Sequence, residues 1–380
     1  MAKTLTVVGR VASVGLLMTG LGGCPQVTVR ARDAEADLPG ADAEALVLAV
    51  PGAGAREVPT NLSRVVVAAA ADPGPLALVG PDGAPVPARP AADTPACGSA
   101  FCAALELQAG LAAQSDYAVR AGGRALDFQT GAGADARPPA LLAPALASDG
   151  PCAVVHVVSD EPVTAELRDA RGRTSARIDV AALEHELGAP APIGPYLVVV
   201  VRDLAGNVTG MQVTWQPPVA RPPFALTEVL AHPRGAQPAQ EWIEIKNLGA
   251  QTLSTAGLTI RAGGASDALP TALIPAGGYG LIVGAGFQLD DGVDVAPAPG
   301  AALVRLSSAA IGGGLANGAG APVELRDGAS QMVSRYGGFV DTSVRAAAGT
   351  SVSRISEAGC DVRANWRATS PPTPGAASGP

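Results

Sequence analysis

Aromatic and histidine side chains are scarce in this 380-residue chain: aromatics make up 3% and histidines number 3. Acid–base catalysis built on histidine therefore has few places to sit. His156 lies inside the apolar run Val154–Val158, where it reads as a packing residue. His185 stands in Glu184-His185-Glu186, which is no H-E-x-x-H, and His232 falls in a turn. No serine sits in a G-x-S-x-G and no cysteine has a catalytic signature, so the chain reads as a non-enzyme with no cofactor. Positive charge is short too. The net charge is −8, the pI is near 5.0, and the bases are almost all arginines, scattered along the chain. Phosphate neutralisation needs the opposite balance, which argues against nucleic acid as a partner. The one apolar run near the start, Val11–Leu17, is too short for a stop-transfer helix.

Glycine (47) and proline (34) are abundant. Together with the alternating apolar runs between them, they predict an all-β chain of short strands joined by turns. The length allows two to four domains on a prior of ~100–200 residues each.

The first residues point to export. Lys3 and Arg10 bracket a basic start, Val11–Leu17 follows, and then comes Leu21-Gly22-Gly23-Cys24. That spelling resembles a bacterial lipobox. The resemblance implies removal of residues 1–23, a diacylglycerol thioether on Cys24 and acylation of its new amine. The membrane is then a partner through the lipid at Cys24, since several acyl chains at ~0.8 kcal/mol per buried CH₂ anchor stably. Pro25, in place of an aspartate, favours the outer membrane, facing either side. Residues 24–44, rich in Ala, Asp and Glu, read as a flexible acidic linker.

Beyond Cys24 the cysteines are Cys97, Cys102, Cys152 and Cys360, an even number suited to disulfides in an exported chain. Four cysteines allow three pairings. Cys97 and Cys102 flank four residues and suit a local clip, which leaves Cys152 and Cys360 for each other. A metal site would need histidine or further cysteine beside Cys97-x4-Cys102, and none is there.

Residues 45–131 carry strand-like runs at Leu46–Val50, Val65–Ala70, Ala103–Leu107 and Tyr117–Arg120, with a turn at Pro81-Asp82-Gly83. Val58-Pro59-Thr60-Asn61 and Phe128-Gln129-Thr130 resemble the start and end of bacterial Ig-like domains. Residues 132–218 read as a second such unit. Cys152–Val158, Val163–Arg168 and Tyr196–Arg202 are its strands, and Ala181–Leu187 reads as a helical turn. Its Asp203-Leu204-Ala205-Gly206-Asn207 turn resembles the ending of many bacterial Ig-like repeats. Gln216–Pro223, with four prolines, reads as a semi-rigid linker.

From 221 to 375 the chain resembles a lamin tail domain. Glu228-Val229-Leu230-Ala231-His232-Pro233 matches that family's opening except for His232 in place of Asn, and Glu241-Trp242-Ile243-Glu244-Ile245-Lys246-Asn247 matches throughout. Ile274-Pro275-Ala276-Gly277, Leu315-Ala316-Asn317-Gly318, Trp366 and Thr373-Pro374-Gly375 follow in the family's order. The resemblance implies an Ig-like sandwich, and alternation along Trp242–Asn247 puts Ile243 and Ile245 on one strand face and Trp242, Glu244 and Lys246 on the other. Residues 376–380 read as a tail.

Two further stretches have binding potential. Gly312–Gly320 lacks the Lys-Ser/Thr and the helix that a phosphate loop requires, so it reads as a turn. Asp290, Asp291 and Asp294 could offer oxygens to calcium, weakly, but the run lacks the acidic end of an EF-hand loop. The whole predicts tandem Ig-like β-sandwiches, the last of lamin-tail type, anchored by lipid at the cell envelope. The expected role is non-catalytic binding, adhesion or scaffolding toward an envelope protein or glycan. The other reading is an accessory or targeting module for an exported hydrolase or nuclease.

Overall fold

The computed structural model describes residues 46–378, except 70, 98–100, 122, 191, 193, 217–220, 291, 318–321 and 338–345. These residues form strands and turns; among them the 3₁₀ turn Arg363–Asn365 is the only helical element. The chain is all-β, as expected, and among these residues its strands pair antiparallel except for one parallel pair. It divides into two compact units. One runs through Ala134 and takes in Val180–Leu183; the other holds Asp135–Asp179 and Glu184–Pro380. Apart from residues 132–134 and Val180–Leu183, the residues expected as a second and a third domain fall in one unit.

The first unit contains β1 (Leu46–Val50), β2 (Arg64–Ala69), β3 (Ala77–Val79), β4 (Ala88–Pro90), β5 (Phe101–Leu107), β6 (Asp116–Ala121) and β7 (Arg124–Gln129). They form a four-stranded sheet, β1-β2-β5-β4, and a three-stranded sheet, β3-β6-β7. Val65, Leu105, Leu78, Val119 and Phe128 are buried. The turn after β3 forms where Pro81-Asp82-Gly83 predicts it. Asp82 Oδ1 accepts the Ala84 amide at 2.9 Å, and Gly83 takes φ +79°, a region glycine enters without strain.

The second unit begins with β8 (Ala145–Asp149), β9 (Cys152–Asp169), β10 (Thr174–Ala189, save Val180–Leu183), β11 (Tyr196–Asp203) and β12 (Val208–Thr214), ordered β10-β9-β11-β12 with β8 also on β9. The two strands expected at Cys152–Val158 and Val163–Arg168 are one strand of 18 residues. Its odd-numbered residues Val155, Val157, Val163 and Leu167 join Leu197, Val199 and Trp215 in one core. Pro162, which has no N–H to donate, lies between the ladder to β8, ending at His156, and the ladder to β11, starting at Val163. The helical turn expected at Ala181–Leu187 is instead part of β10. His185 there is buried rather than solvated, and its Nε2 donates to the Val163 carbonyl. Partners across the sheet override local propensity at this segment.

The remainder contains β13 (Phe224–Leu230), β14 (Trp242–Asn247), β15 (Leu253–Ser254), β16 (Thr259–Ala262), β17 (Ala265–Ala268), β18 (Leu273–Ile274), β19 (Tyr279–Val283), β20 (Ala302–Arg305), β21 (Val323–Arg326), β22 (Met332–Tyr336), β23 (Ser351–Arg354) and β24 (Trp366–Thr369). A six-stranded sheet, β20-β19-β14-β13-β23-β24, faces a four-stranded one, β17-β16-β21-β22. Ile243, Ile245, Ile282, Ile260 and Leu325 are wholly buried in the core they share. A bulge in β13 between Leu226 and Glu228 lets Leu226 and Val229 both reach that core, although they are three residues apart. Trp242, on the opposite face of β14, is also buried, among Leu230, Leu281, Val283 and Phe287. The central strands are thus covered on both faces.

Candidate functional site

The polar residues of Glu241–Asn247 hold other segments in place. Asn247, fully buried, donates from Nδ2 to the carbonyls of Gln251, Ile274 and Pro275 at 2.7–3.0 Å, and its Oδ1 accepts the Gly249 amide. Glu241 Oε2 accepts the Leu315 amide at 3.1 Å, which fixes the glycine-rich turn; burial raises its carboxyl above the usual range. In that turn Gly313 donates to Ala262 O at 2.8 Å, and a Cβ on Gly312 would come within 2.8 Å of Ala262 N. The glycines permit close approach of two backbones. Lys246 pairs with Glu357 and donates to Tyr279 Oη.

Glu228 and Glu244 stand directly opposite each other in the β13–β14 ladder, and both are buried. Like charges so placed destabilise a sheet. Here the C-terminal segment closes over them. Glu228 accepts the Thr373 amide at 2.9 Å, Thr373 Oγ1 at 2.7 Å and the Ser351 hydroxyl. Glu244 accepts Thr227 Oγ1 at 2.6 Å and the Gly375 amide at 2.7 Å. Burial, with Glu228 adding to it, pushes Glu244 up to about 8, so at neutral pH it is mostly the neutral acid.

A second polar cluster joins β8 to β22, β23 and the segment after it. Asp149 accepts Arg335 N at 2.8 Å through Oδ1, and Arg354 Nη2 at 3.0 Å and Asp361 N at 2.8 Å through Oδ2. Arg354 also donates to Ser334 Oγ and to the Arg335 carbonyl, and its guanidinium lies 4.9 Å from the Trp366 ring. Asp361 accepts Trp366 Nε1 at 2.9 Å; burial, then Asp149, raises its carboxyl against the pull of Arg354 and Arg335. Beside this cluster Cys152 and Cys360 form a disulfide, and Cys97 and Cys102 form another, the pairing expected. Gly188 of β10 packs on the Cys152–Cys360 disulfide: a Cβ there would lie 2.6 Å from Cys360 Cβ.

Cys24 lies outside the described residues, as does Asp291. Asp294 accepts the amides of Arg234 and Gly235 at 2.9 and 2.8 Å, and Asp290 accepts that of Gly292 at 3.1 Å; both brace turns. Among the described residues the carboxylates that converge as possible cation ligands are Asp135, Glu161 and Asp203, with one oxygen of each within 4.8 Å of the others. Asp203 belongs to the D-x-A-G-N turn, where its two oxygens accept Asn207 N and Nδ2 at 2.8 Å. Burial, then Asp135 and Asp203, push Glu161 up to about 6. These are hard oxygen donors, the kind calcium takes. The outer members of the trio, Asp135 and Asp203, lie far apart in sequence, and nothing in the spacing announces it.

No family model matches the chain, and no curated protein does. Among solved structures, the crystal structure of the I9–I11 tandem from titin aligns at 10% identity over 67% of this chain and 94% of that one. Its TM-score is 0.18, too low to carry an argument.

Proposed function

We propose that this chain is a lipid-anchored, non-catalytic scaffold or binding module of a bacterial cell envelope, and that its last sandwich is of lamin-tail type. The observation that carries the reading is the use made of Glu241–Asn247. In the segment with the strongest family resemblance, Glu241, Glu244, Lys246 and Asn247 each hold another part of the same unit. Residues engaged in this way shape a rigid surface rather than turn over a substrate, and binding then falls to loops and sheet edges. The cysteines support the compartment. Four of the five pair as disulfides, which persist in oxidising surroundings, and the fifth is Cys24 in the lipobox-like spelling.

Two measurements test the proposal. Mass spectrometry of the mature N-terminus from a bacterial host should find an acylated Cys24, and Cys24→Ser should release the chain from membranes. An unmodified N-terminus on a freely soluble wild-type chain overturns the anchor. The Cys24→Ser chain immobilised over envelope extract should retain one defined protein or glycan in preference to bulk extract. Retention of nothing overturns the binding role.

A further inference from the structure

Among the described residues the outermost strand of the second unit's first sheet, β12, has a free edge. It ends the order β10-β9-β11-β12, and among the described residues β11 is its only partner strand. The ladder between them runs through seven register pairs, from Tyr196↔Thr214 to Arg202↔Val208, with no bulge. Which backbone groups point outward follows from the two bonds that flank it. Trp215 N donates to Pro195 O at 2.8 Å, and Asp203 N donates to Asn207 O at 3.1 Å. Antiparallel pairs alternate, so the odd-numbered residues of β12 bond to β11. Val208, Gly210, Gln212 and Thr214 therefore direct their N–H and C=O groups away from the sheet. The same four residues are exposed, while Thr209, Met211 and Val213 are half-buried. Thr209 Oγ1 donates to Pro139 O at 2.6 Å, which sets the segment before β8 over the odd-numbered face and not across the outward amides.

Sheet edges are ordinarily protected by charge, proline, bulges or shortness. The edges of the six-stranded sheet follow that rule: β20 and β24 have four residues each and carry Arg305 and Arg367. The three-residue edge strand β4 ends in Pro90. By contrast β12 is seven residues long, Val-Thr-Gly-Met-Gln-Val-Thr, without a charge or a proline.

We propose that β12 is a self-association edge, pairing antiparallel with β12 of a second copy of this chain about a two-fold axis at Met211. The sequence of the strand selects this occupant. With Met211 opposite its own copy, Val208 meets Thr214 and Gly210 meets Gln212. All the outward amides and carbonyls then find partners, because only even-numbered residues face even-numbered ones. On the other face Thr209 meets Val213. β-Branched residues pair with β-branched ones, and no charge meets a like charge even though each chain carries −8. Two copies of the sheet become one continuous sheet. A ladder of this length buries less than the ~1,200 Å² of a standard interface, so the dimer is weak and concentration-dependent.

Sedimentation equilibrium on the full chain carrying Cys24→Ser tests this without any lipid or envelope ligand, so its outcome is separable from that of the proposed function. The expected result is a monomer–dimer equilibrium. Gln212→Lys, at an exposed position, sets two like charges diagonally across the axis; it should weaken the dimer at least tenfold and leave the thermal midpoint of the monomer unchanged. Met211→Cys gives the register. On the axis it occupies a non-hydrogen-bonded pair, whose Cα separation of ~4.5 Å suits a disulfide, so oxidation should produce a covalent dimer. A chain that stays monomeric at every concentration overturns the proposal. So does a dimer indifferent to Gln212→Lys that fails to cross-link through Met211→Cys. Protection of the β12 amides from hydrogen exchange only when a different envelope protein is added would assign the edge to that partner and reject the self-association.

Discussion

Glu228 and Glu244 lie under the C-terminal segment, and Asp149 and Asp361 lie around Arg354; all four carboxyls are almost fully buried. The two pairs are kept by different means. The glutamates take hydrogen bonds from hydroxyls and amides, and one of them gives up its charge, with Glu244 raised to about 8. The aspartates keep an arginine: Arg354 meets Asp149 at 3.0 Å, and Arg335 approaches Asp361 at 3.4 Å. Arg354 and Asp149 form a buried ion pair, whereas burial and a neighbouring acid raise both Glu244 and Asp361 to about 8, Asp361 in spite of the arginines beside it. The first arrangement ties Thr373 and Gly375 to the β13–β14 ladder. The second, beside the Cys152–Cys360 disulfide, joins residues 149–152 to residues 334–361.

The largest effect is expected from an acid given neither provision. Ile243→Asp sets a carboxylate at a wholly buried core position between the two sheets, and the cooperative thermal transition of that unit should vanish from calorimetry. Next comes removal of the cation. Arg354→Ala leaves the Asp149 carboxyl buried with its two backbone amides but no cation, and should cost about 3–5 kcal/mol in denaturant unfolding. Replacing Cys152 and Cys360 together by alanine should cost about 2–5 kcal/mol; a change far below this would mean that the ion pair alone holds the two segments.

The glutamate pair should respond to pH instead. Glu244 has a folded-state value of about 8 against an ordinary 4.5, so the folded chain holds the proton more tightly than the unfolded one. Its contribution is complete below about 4.5 and is lost as pH rises through 8, by an amount on the order of 5 kcal/mol at most. Glu244→Gln mimics the neutral acid. It should be nearly silent at pH 5 and flatten the fall in stability between pH 6 and 8, read from unfolding midpoints across that range. A steeper fall in the variant would contradict the neutral-acid assignment. The smallest change is expected at the half-buried Glu161. Glu161→Gln relieves repulsion from Asp135 and Asp203 and should raise the midpoint slightly above pH 6, with no gain at pH 4.5.

Much of the architecture was legible along the chain because strands and turns are local events. Pro81-Asp82-Gly83 and Asp203–Asn207 turn where they are spelled to turn, and the inward placement of Ile243 and Ile245 follows from alternation. His185 and Ala181–Leu187 were not legible as strand, because only pairing across a sheet makes them one. Nor was the fate of the outer face of β14. Alternation marks Glu244 as facing away from the core, but says nothing of a segment 131 residues later that covers it. The trio Asp135, Glu161 and Asp203 is hidden for the same reason, since its members come from separate strands and loops.

The order of residues by itself determined that this protein would be all-β, where turns such as Pro81–Gly83 and Asp203–Asn207 fall, and which cysteines could close a local clip. Those properties depend on side chains and backbone angles within a few neighbours. Folding in three dimensions decided which acids are neutral, which are paired and which edge is left open. A carboxyl's proton and a strand's outward amides respond to whatever atoms surround them, and those atoms arrive from distant parts of the chain.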